Sequence, residues 1–131
     1  DIFYSWSPDS KWIASDMLMP NQWIGEVGVV NVVTKKVVNI TKSGYSEGGA
    51  RWSNDGNMLY WYSDRDGMKN HGSWGSEADV YGLLLNQEAY DNYQLDKEEK
   101  ELADESKKDK KEEDSKDDKK KEETEDVTIE Y

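Results

Sequence analysis

The stretch that decides the fold is residues 52–67, which read Trp52-Ser53-Asn54-Asp55-Gly56-Asn57-Met58-Leu59-Tyr60-Trp61-Tyr62-Ser63-Asp64-Arg65-Asp66-Gly67. Residues 54–57 are turn formers that tolerate positive φ, and aromatic and aliphatic residues follow them, as a half-buried strand prefers. The stretch therefore predicts a tight β-hairpin. Residues 6–14 align with residues 52–60 without a gap, so the two copies stand 46 positions apart. A repeat of this length is typical of an array architecture.

The composition divides the 131-residue chain, with a formal net charge of −12, into two unlike parts near Leu95. Residues 96–126 hold 10 Lys and 16 Asp plus Glu, with Leu102 and Ala103 as their apolar residues. Such a segment has too little apolar surface to build a core, which predicts either solvated disorder or a polar helix that frays at its far end. Lys residues interleaved with more carboxylates do not form a phosphate-binding surface, so nucleic acid is not an expected partner.

The sequence contains no cysteine, which excludes disulfides and thiolate metal sites. No apolar run is long enough to span a membrane, so membrane insertion is not expected. The chain opens in strand-like residues at 2–6 and stops in another strand-like run at 127–131. These two ends predict an internal fragment of a longer protein.

Four short antiparallel strands are predicted in the first unit, residues 1–41. They lie at residues 3–7, 12–16, 26–33 and 37–41. Their number and length are typical of one blade of a β-propeller. The second unit, residues 42–85, has predicted strands at 50–53, 58–63 and 79–85 and lacks a fourth, so it is an incomplete blade.

An insertion is predicted at residues 86–126, between the third strand and a possible fourth. Asn86 is a favourable N-cap residue, and the polar run from Gln87 to about Glu105 favours a helix before the Lys/Glu-rich segment. Residues 127–131 would then start a further strand. The predicted fold class is an all-β fragment of a β-propeller, about two four-stranded antiparallel blades, with a helical to disordered charged insertion.

The two Trp-Ser-(Pro/Asn)-Asp-(Ser/Gly) hairpins, together with Asn39-Ile40-Thr41 and residues 63–67, resemble the PD40 (WD40-like) repeats of TolB-like and tricorn-type propellers. The order of repeat, Gln87-Glu88-Ala89-Tyr90 helix and charged insertion is most similar to tricorn-like serine peptidases of the S41 class. The resemblance covers nearly the whole chain. Asn54 stands where the repeat usually has Pro, and Asn is also a turn former.

The resemblance implies that the segment is non-catalytic and serves substrate access or scaffolding in a serine peptidase, whose catalytic residues lie outside these residues. The implied partners are the remaining blades, the peptidase domain and a peptide or protein substrate. It also implies a periplasmic or cell-envelope location. Two alternatives stay open: a TolB-like interaction propeller without enzyme activity, and the propeller of a prolyl-oligopeptidase-like hydrolase.

Gly44-Tyr45-Ser46-Glu47-Gly48 matches the pattern of a nucleophile elbow, but strand-like residues follow it where an elbow requires a helix. The motif is better interpreted as a linker between units. His71, the single histidine, lies in a Gly- and Ser-rich loop, and a surface or hydrogen-bonding role is favoured for it. Most Trp residues fall within the predicted strands, whereas Trp23 and Trp74 lie in loops. Trp23, His71 and Trp74 are therefore the predicted contacts for a substrate or partner.

Asp55, Asp64 and Asp66 lack the spacing of a calcium loop, so the sequence predicts neither a metal site nor a cofactor. These carboxylates are expected to cap turns and to pair with Arg65 or Arg51. Two blades alone would leave apolar faces and strand edges exposed, because each blade buries its faces against neighbours. The isolated chain is therefore expected to be unstable or to self-associate.

Overall fold

The computed structural model describes residues 3–20, 23–71, 75–114 and 127–129, and for residues 107–114 it describes the backbone alone. The strands in these ranges are β1 (Tyr4–Trp6), β2 (Trp12–Leu18), β3 (Gly25–Asn31), β4 (Val37–Asn39), β5 (Glu47–Trp52), β6 (Met58–Ser63) and β7 (Asp79–Leu84). The helices are α1 (Gln87–Gln94) and α2 (Lys97–Asp114). Antiparallel sheet dominates the structure, which confirms the predicted all-β class.

The first sheet is a simple meander in the order β1-β2-β3-β4, with every neighbouring pair antiparallel. Its four strands lie where the sequence predicts them, with bounds shifted by one or two residues. One of the two-residue shifts is at the end of β3. There the side chain of Asn31 accepts hydrogen bonds from the main chain of Val33 and Thr34, which starts the turn earlier than the apolar pattern indicates.

The two predicted hairpins form the same hydrogen bonds at positions 46 apart. Ser7 Oγ accepts from Trp12 N, and Ser53 Oγ accepts from Met58 N, both at 2.9 Å. Asp9 accepts from the main chain of Lys11, and Asp55 accepts from that of Asn57. Ser10 and Gly56, which occupy equivalent positions, both have positive φ, of 59° and 72°. The repeat seen in the sequence is therefore a repeat of backbone conformation and hydrogen bonding.

The second sheet has the order β5-β6-β7 and contains one irregularity that the sequence did not reveal. Strand β5 begins at Glu47, three residues before its predicted start, because pairing with β6 continues past a bulge between Gly48 and Arg51. Gly49 lies in this bulge with φ +68°, a conformation that glycine adopts without strain. At this bulge the Gly49 N–H points toward Asp16 of the first sheet.

The two sheets pack against each other around one core, and β5 contacts β1, β2 and β3. Direct hydrogen bonds also join the sheets. Ser5 Oγ donates to Ala50 O at 2.9 Å, and Trp52 Nε1 donates to Ser5 O at 3.1 Å. Gly49 N donates to Asp16 Oδ1 at 2.8 Å. The buried apolar cluster consists of Trp12, Ala14, Val27, Val29, Ala50, Trp52, Leu59, Trp61, Leu85 and Val127.

The helical part of the insertion begins as the sequence predicts, with the side chain of Asn86 accepting from Ala89 N at 2.8 Å. It then breaks, because Leu95 is extended and Asp96 starts a second helix. Asp96 and Glu99 exchange side-chain to main-chain hydrogen bonds of 2.9 and 3.0 Å, which is a capping box. Helix α2 continues to Asp114, nine residues beyond the predicted end at Glu105.

Residues 127–129 return to the body of the fold. Val127 is buried in the core, its N–H donates to Asp9 Oδ2 at 2.8 Å, and Ile129 packs beside the core. These residues are not in a strand. The predicted strand extends to residues 130–131, which lie outside the described residues. Within the described part of the chain, neither helix is long and apolar enough to cross a membrane.

Candidate functional site

Two of the three predicted contact residues, Trp23 and His71, lie in loops among the described residues. Trp23 lies between β2 and β3 and is fully exposed. His71 is also exposed, between β6 and β7. Trp74 lies outside the described residues. The surface feature that the structure does show is elsewhere, at the junction of the two sheets.

A cleft of about 680 Å³ runs along β5 where the second sheet meets the first. Its walls combine three carboxylate residues, one arginine, three aromatic rings and the main chain around the bulge. The lining residues are Phe3, Asp16, Ser46, Glu47, Gly48, Gly49, Arg51, Tyr60, Tyr62, Asp64, Ser76 and Ala78. The strands therefore place aromatic and charged side chains together on one surface. The periodicity of the sequence alone does not predict this grouping.

The acidic side chains of this cleft are engaged in structural contacts. Asp16 accepts from Gly49 N, and a Cβ placed on Gly48 would lie 3.2 Å from Asp16 Oδ2. Glu47 is buried, accepts from Ser63 Oγ at 3.1 Å and lies 3.6 Å from the Arg65 guanidinium. The second oxygen of Glu47 is buried without a partner among the described residues. These carboxylates hold β5 against its neighbours.

Asp64 fastens the segment before β5 to the segment after β6. It accepts from Ser46 N at 2.9 Å, and its carboxylate lies 2.7 Å from Lys69 Nζ. The hydrogen bond from Lys69 is the main cause that lowers the pKa of Asp64; burial opposes it, and hydrogen bonds from Ser46 and Ser76 add to the lowering. The ionised Asp64 carboxylate therefore links the segment before β5 to the segment after β6.

Arg65, Tyr45 and Tyr81 form a cationic and aromatic cluster close to Asp64. The Arg65 guanidinium lies 5.5 Å from the Tyr45 ring centroid and 5.4 Å from that of Tyr81, within the range of cation–π contacts. Tyr81 donates its hydroxyl to Asp66, and this hydrogen bond is the main cause that raises the pKa of Tyr81 to about 12. Arg65 thus holds Tyr45 in the linker and Tyr81 in β7 together.

Asp55 has the expected turn role, whereas Asp64 and Asp66 accept hydrogen bonds from residues distant in the chain, and the cation partners also differ from the prediction. Asp55 caps the hairpin turn, whereas Asp64 pairs with Lys69 and Arg65 pairs with Glu47. Among the described residues the ion pairs found here are Asp64 with Lys69 and Glu47 with Arg65, and not the predicted pairs of these aspartates with Arg65 or Arg51. Across the described residues no group of three or more His, Cys, Asp or Glu side chains could hold a metal ion.

Ser46 of the G-x-S-x-G sequence is exposed and stands directly before strand β5. Asp64 N donates to Ser46 O at 3.1 Å, so the residue continues the antiparallel pairing with β6. A nucleophile elbow needs a strand-to-helix turn, and the element that follows here is a strand. No hydrogen bond to the Ser46 hydroxyl is found in the described part of the chain. The linker interpretation of this motif therefore fits the geometry.

The faces of the two sheets indicate a candidate interaction surface more clearly than any cluster of polar groups does. Because the hairpins repeat at 46 positions, the residues of β1 and residues 12–17 of β2 have equivalents in β5 and β6. We call the side of a sheet that carries Trp6 and Ile13, or their equivalents Trp52 and Leu59, its Trp face. The opposite side is its Val face. It carries Ala14 and Val27 in the first sheet, and Tyr60 and Val80 in the second.

The sheets contact each other through unlike faces. The Val face of the first sheet packs on the Trp face of the second, since Ala14, Val27, Trp52 and Leu59 share one buried cluster. Each sheet therefore has one face that the other sheet does not cover; at the second sheet, helix α1 contacts β7, and its Tyr93 lines a pocket with Tyr60 and Val80. Trp6 is 51% exposed whereas its equivalent Trp52 is 7% exposed, and Val80 is 64% exposed whereas Val27 is fully buried. The same residue types are thus covered in one copy and open in the other.

The cleft lies on this second open face. Arg51, Tyr60 and Tyr62 are equivalent to Ser5, Ala14 and Asp16, which all contact the other sheet. Its walls therefore occupy positions that serve sheet packing in the first copy. This position makes the cleft part of an interaction surface, and its acidic groups are already used in holding β5.

Comparisons of the chain with known protein families, with curated proteins and with solved structures gave no match. The assignment of the fold and of the open faces therefore rests on the residues and contacts described above.

Sequence reasoning predicted loop residues for the site, whereas the structure presents sheet faces. The signal for the faces was present in the sequence, because the 46-residue repeat places Trp6 and Trp52 at one position. What the sequence could not show was which face of each unit is covered. That depends on the bulge at Gly49 and on its hydrogen bond to Asp16, a contact between residues 33 positions apart.

Proposed function

We propose that this chain supplies two consecutive blades of a β-propeller, which serves substrate access or scaffolding in a tricorn-like serine peptidase and performs no catalysis itself. The observation that carries the proposal is the packing of two equivalent sheets through unlike faces. A unit that packs in this way extends in one direction, and a constant rotation between units closes the array into a ring.

The local geometry supports a non-catalytic role. No hydrogen bond to the Ser46 hydroxyl is found among the described residues, Ser46 precedes a strand, and the carboxylates of the cleft are engaged in main-chain and arginine contacts. Both open faces carry exposed aromatic or aliphatic side chains, as surfaces that receive another sheet are expected to do, and the Val face of the second sheet also carries Arg51. The proposed partners are therefore further blades, a peptidase domain and the peptide that the assembly admits. The peptidase assignment itself rests on the resemblance of the repeats and of the insertion.

Replacing Ser46 tests the proposal in the complete product of the gene. We expect that product to hydrolyse peptides, and we expect Ser46→Ala to leave kcat/KM within about twofold, because Ser46 makes only main-chain contacts. The matched control is Ser43→Ala in the same linker. Removal of a true nucleophile would lower kcat by several orders of magnitude, about 10⁶-fold in a serine protease.

The possible outcomes separate the alternatives. Loss of activity in a folded Ser46→Ala protein, with Ser43→Ala active, would overturn the non-catalytic assignment. A complete product that binds other proteins and hydrolyses no peptide would favour a TolB-like interaction propeller. A peptidase whose nucleophile lies in an α/β-hydrolase domain would favour the prolyl-oligopeptidase-like alternative.

A further inference from the structure

The contact between the two sheets supplies a template for a second contact between chains. In the internal interface, Trp52 of the second sheet donates its indole N–H to Ser5 O of the first, at 3.1 Å. Ala14 and Val27 form the opposite wall and are fully buried. One interface therefore consists of a Trp face laid on a Val face, fixed by an indole hydrogen bond to the main chain of an outer strand.

The two open faces of the same chain carry the equivalents of the two halves of that interface, with Tyr60 and Tyr62 on the open Val face in place of Ala14 and Asp16. On the first sheet, the open Trp face presents Tyr4 and Trp6, which are 63% and 51% exposed. On the second sheet, the open Val face presents Tyr60, Tyr62 and Val80, which are 39%, 59% and 64% exposed. Exposed aromatic and aliphatic groups collected on one side of a sheet mark an interaction surface.

We propose that in the isolated 131-residue chain, without the further sheets expected in the complete gene product, a second copy docks the Trp face of its first sheet on the Val face of the second sheet, repeating the internal interface. Trp6 of the docking copy then takes the place of Trp52, and its indole N–H is directed at the main-chain oxygen of Arg51, the equivalent of Ser5. The inference rests on the same sheet packing as the proposed function, but it needs neither a peptidase domain nor a substrate.

This arrangement is directional, and that distinguishes it from ordinary aggregation. A contact between unlike faces leaves each complex with one free Trp face and one free Val face, so association continues into a ring or an open filament. A contact between like faces would stop at a symmetric dimer. The direction can be tested by blocking one face at a time.

The test uses two variants of the full 131-residue chain in analytical ultracentrifugation. Trp6→Arg blocks the open Trp face, and Val80→Arg blocks the open Val face. Since the chain carries a net charge of −12, the measurement is made at about 0.15 M salt, where the Debye length is about 8 Å. We expect the unmodified chain to associate beyond a dimer with rising concentration, and each variant alone to be monomeric.

The equimolar mixture of the two variants gives the decisive result. Each variant keeps one functional face, and these faces are complementary, so the mixture should form a 1:1 dimer and nothing larger. Each substitution should raise the apparent dissociation constant of its own face about thirtyfold or more, as loss of a central interface anchor typically does.

Several results would overturn the inference. They are self-association of either variant alone, a mixture that stays monomeric while both variants are folded, and an unmodified chain that is monomeric at all concentrations. Circular dichroism of each variant checks folding. If one variant fails to fold, Tyr4→Lys or Tyr62→Lys replaces it, since these residues lie on the same faces and are 63% and 59% exposed. The sedimentation test does not depend on the peptidase activity of the complete gene product. This inference and the proposed function can therefore fail separately.

Discussion

Truncation of Trp52 to alanine should lower the free energy of unfolding by about 3–5 kcal/mol, the usual range for a large aromatic side chain in a core. Trp52 is 7% exposed, lies in the cluster between the sheets and donates its indole N–H to Ser5 O. The substitution removes that packing and leaves a main-chain oxygen without its donor. Urea denaturation followed by circular dichroism measures the loss.

The matched control is Trp6→Ala, the same substitution at the equivalent position of the other repeat. Trp6 is 51% exposed, so its truncation should cost no more than about 1 kcal/mol in the monomer. Both measurements are made at a concentration where sedimentation shows monomers, because association would stabilise the folded state. Equal losses at the two positions would contradict the assignment of one covered and one open Trp face.

Replacement of Glu26 by glutamine should cost about 2 kcal/mol at neutral pH. The carboxylate of Glu26 is buried and accepts from Thr41 Oγ1, Ser43 N and Gly44 N, at 2.8, 3.2 and 3.1 Å. These donors belong to the linker that joins the two sheets. A glutamine would turn an NH₂ group toward donors, so at least one of these hydrogen bonds would be lost.

The cost of this substitution should depend on pH. Burial raises the pKa of Glu26, but hydrogen bonds from Thr41, Gly44 and Ser43 outweigh it, so the folded pKa lies below the ordinary value of 4.5. The stability that the carboxylate contributes is therefore fully present above pH about 4.5 and is lost as pH falls through the folded pKa.

The difference in unfolding free energy between the Glu26→Gln and unmodified chains should thus shrink as the pH falls below about 4.5 and through the folded pKa of Glu26. The lowered pKa values of Asp9 and Asp55 act in both chains and cancel in this difference. Glu77→Gln, at an exposed position, is the control and should show almost no difference. A constant difference across this range would show that the Glu26 carboxylate does not stabilise the linker as an ion.

The sequence predicted those parts of the fold that depend on local chemistry. The Ser-x-Asp turns, the positions of the strands and the Asn86 cap all follow from residues close together in the chain, and the structure contains them. The break between the helices was also readable, as an Asp96-x-x-Glu99 capping box, although composition alone suggested one helix.

The parts that the sequence could not predict depend on contacts across the fold. The bulge at Gly49 is stabilised by Asp16, and the start of β5 at Glu47 depends on Ser63 and Arg65. The candidate site shows the same limit. Their positions in loops suggested Trp23 and His71 as contact residues. An exposed loop residue, however, has such a role only when a partner binds to it. The open sheet faces became visible once the covered faces of their equivalents were known.

The central claim is that the two sheets are consecutive copies of one unit in a longer array. The most direct test is a structure of the complete gene product, determined by crystallography or electron microscopy. We predict that another antiparallel sheet covers the Trp face of β1–β4, with Trp6 Nε1 donating to a main-chain oxygen of that sheet. A further sheet should cover Tyr60 and Val80. Solvent on both of these faces would contradict the account.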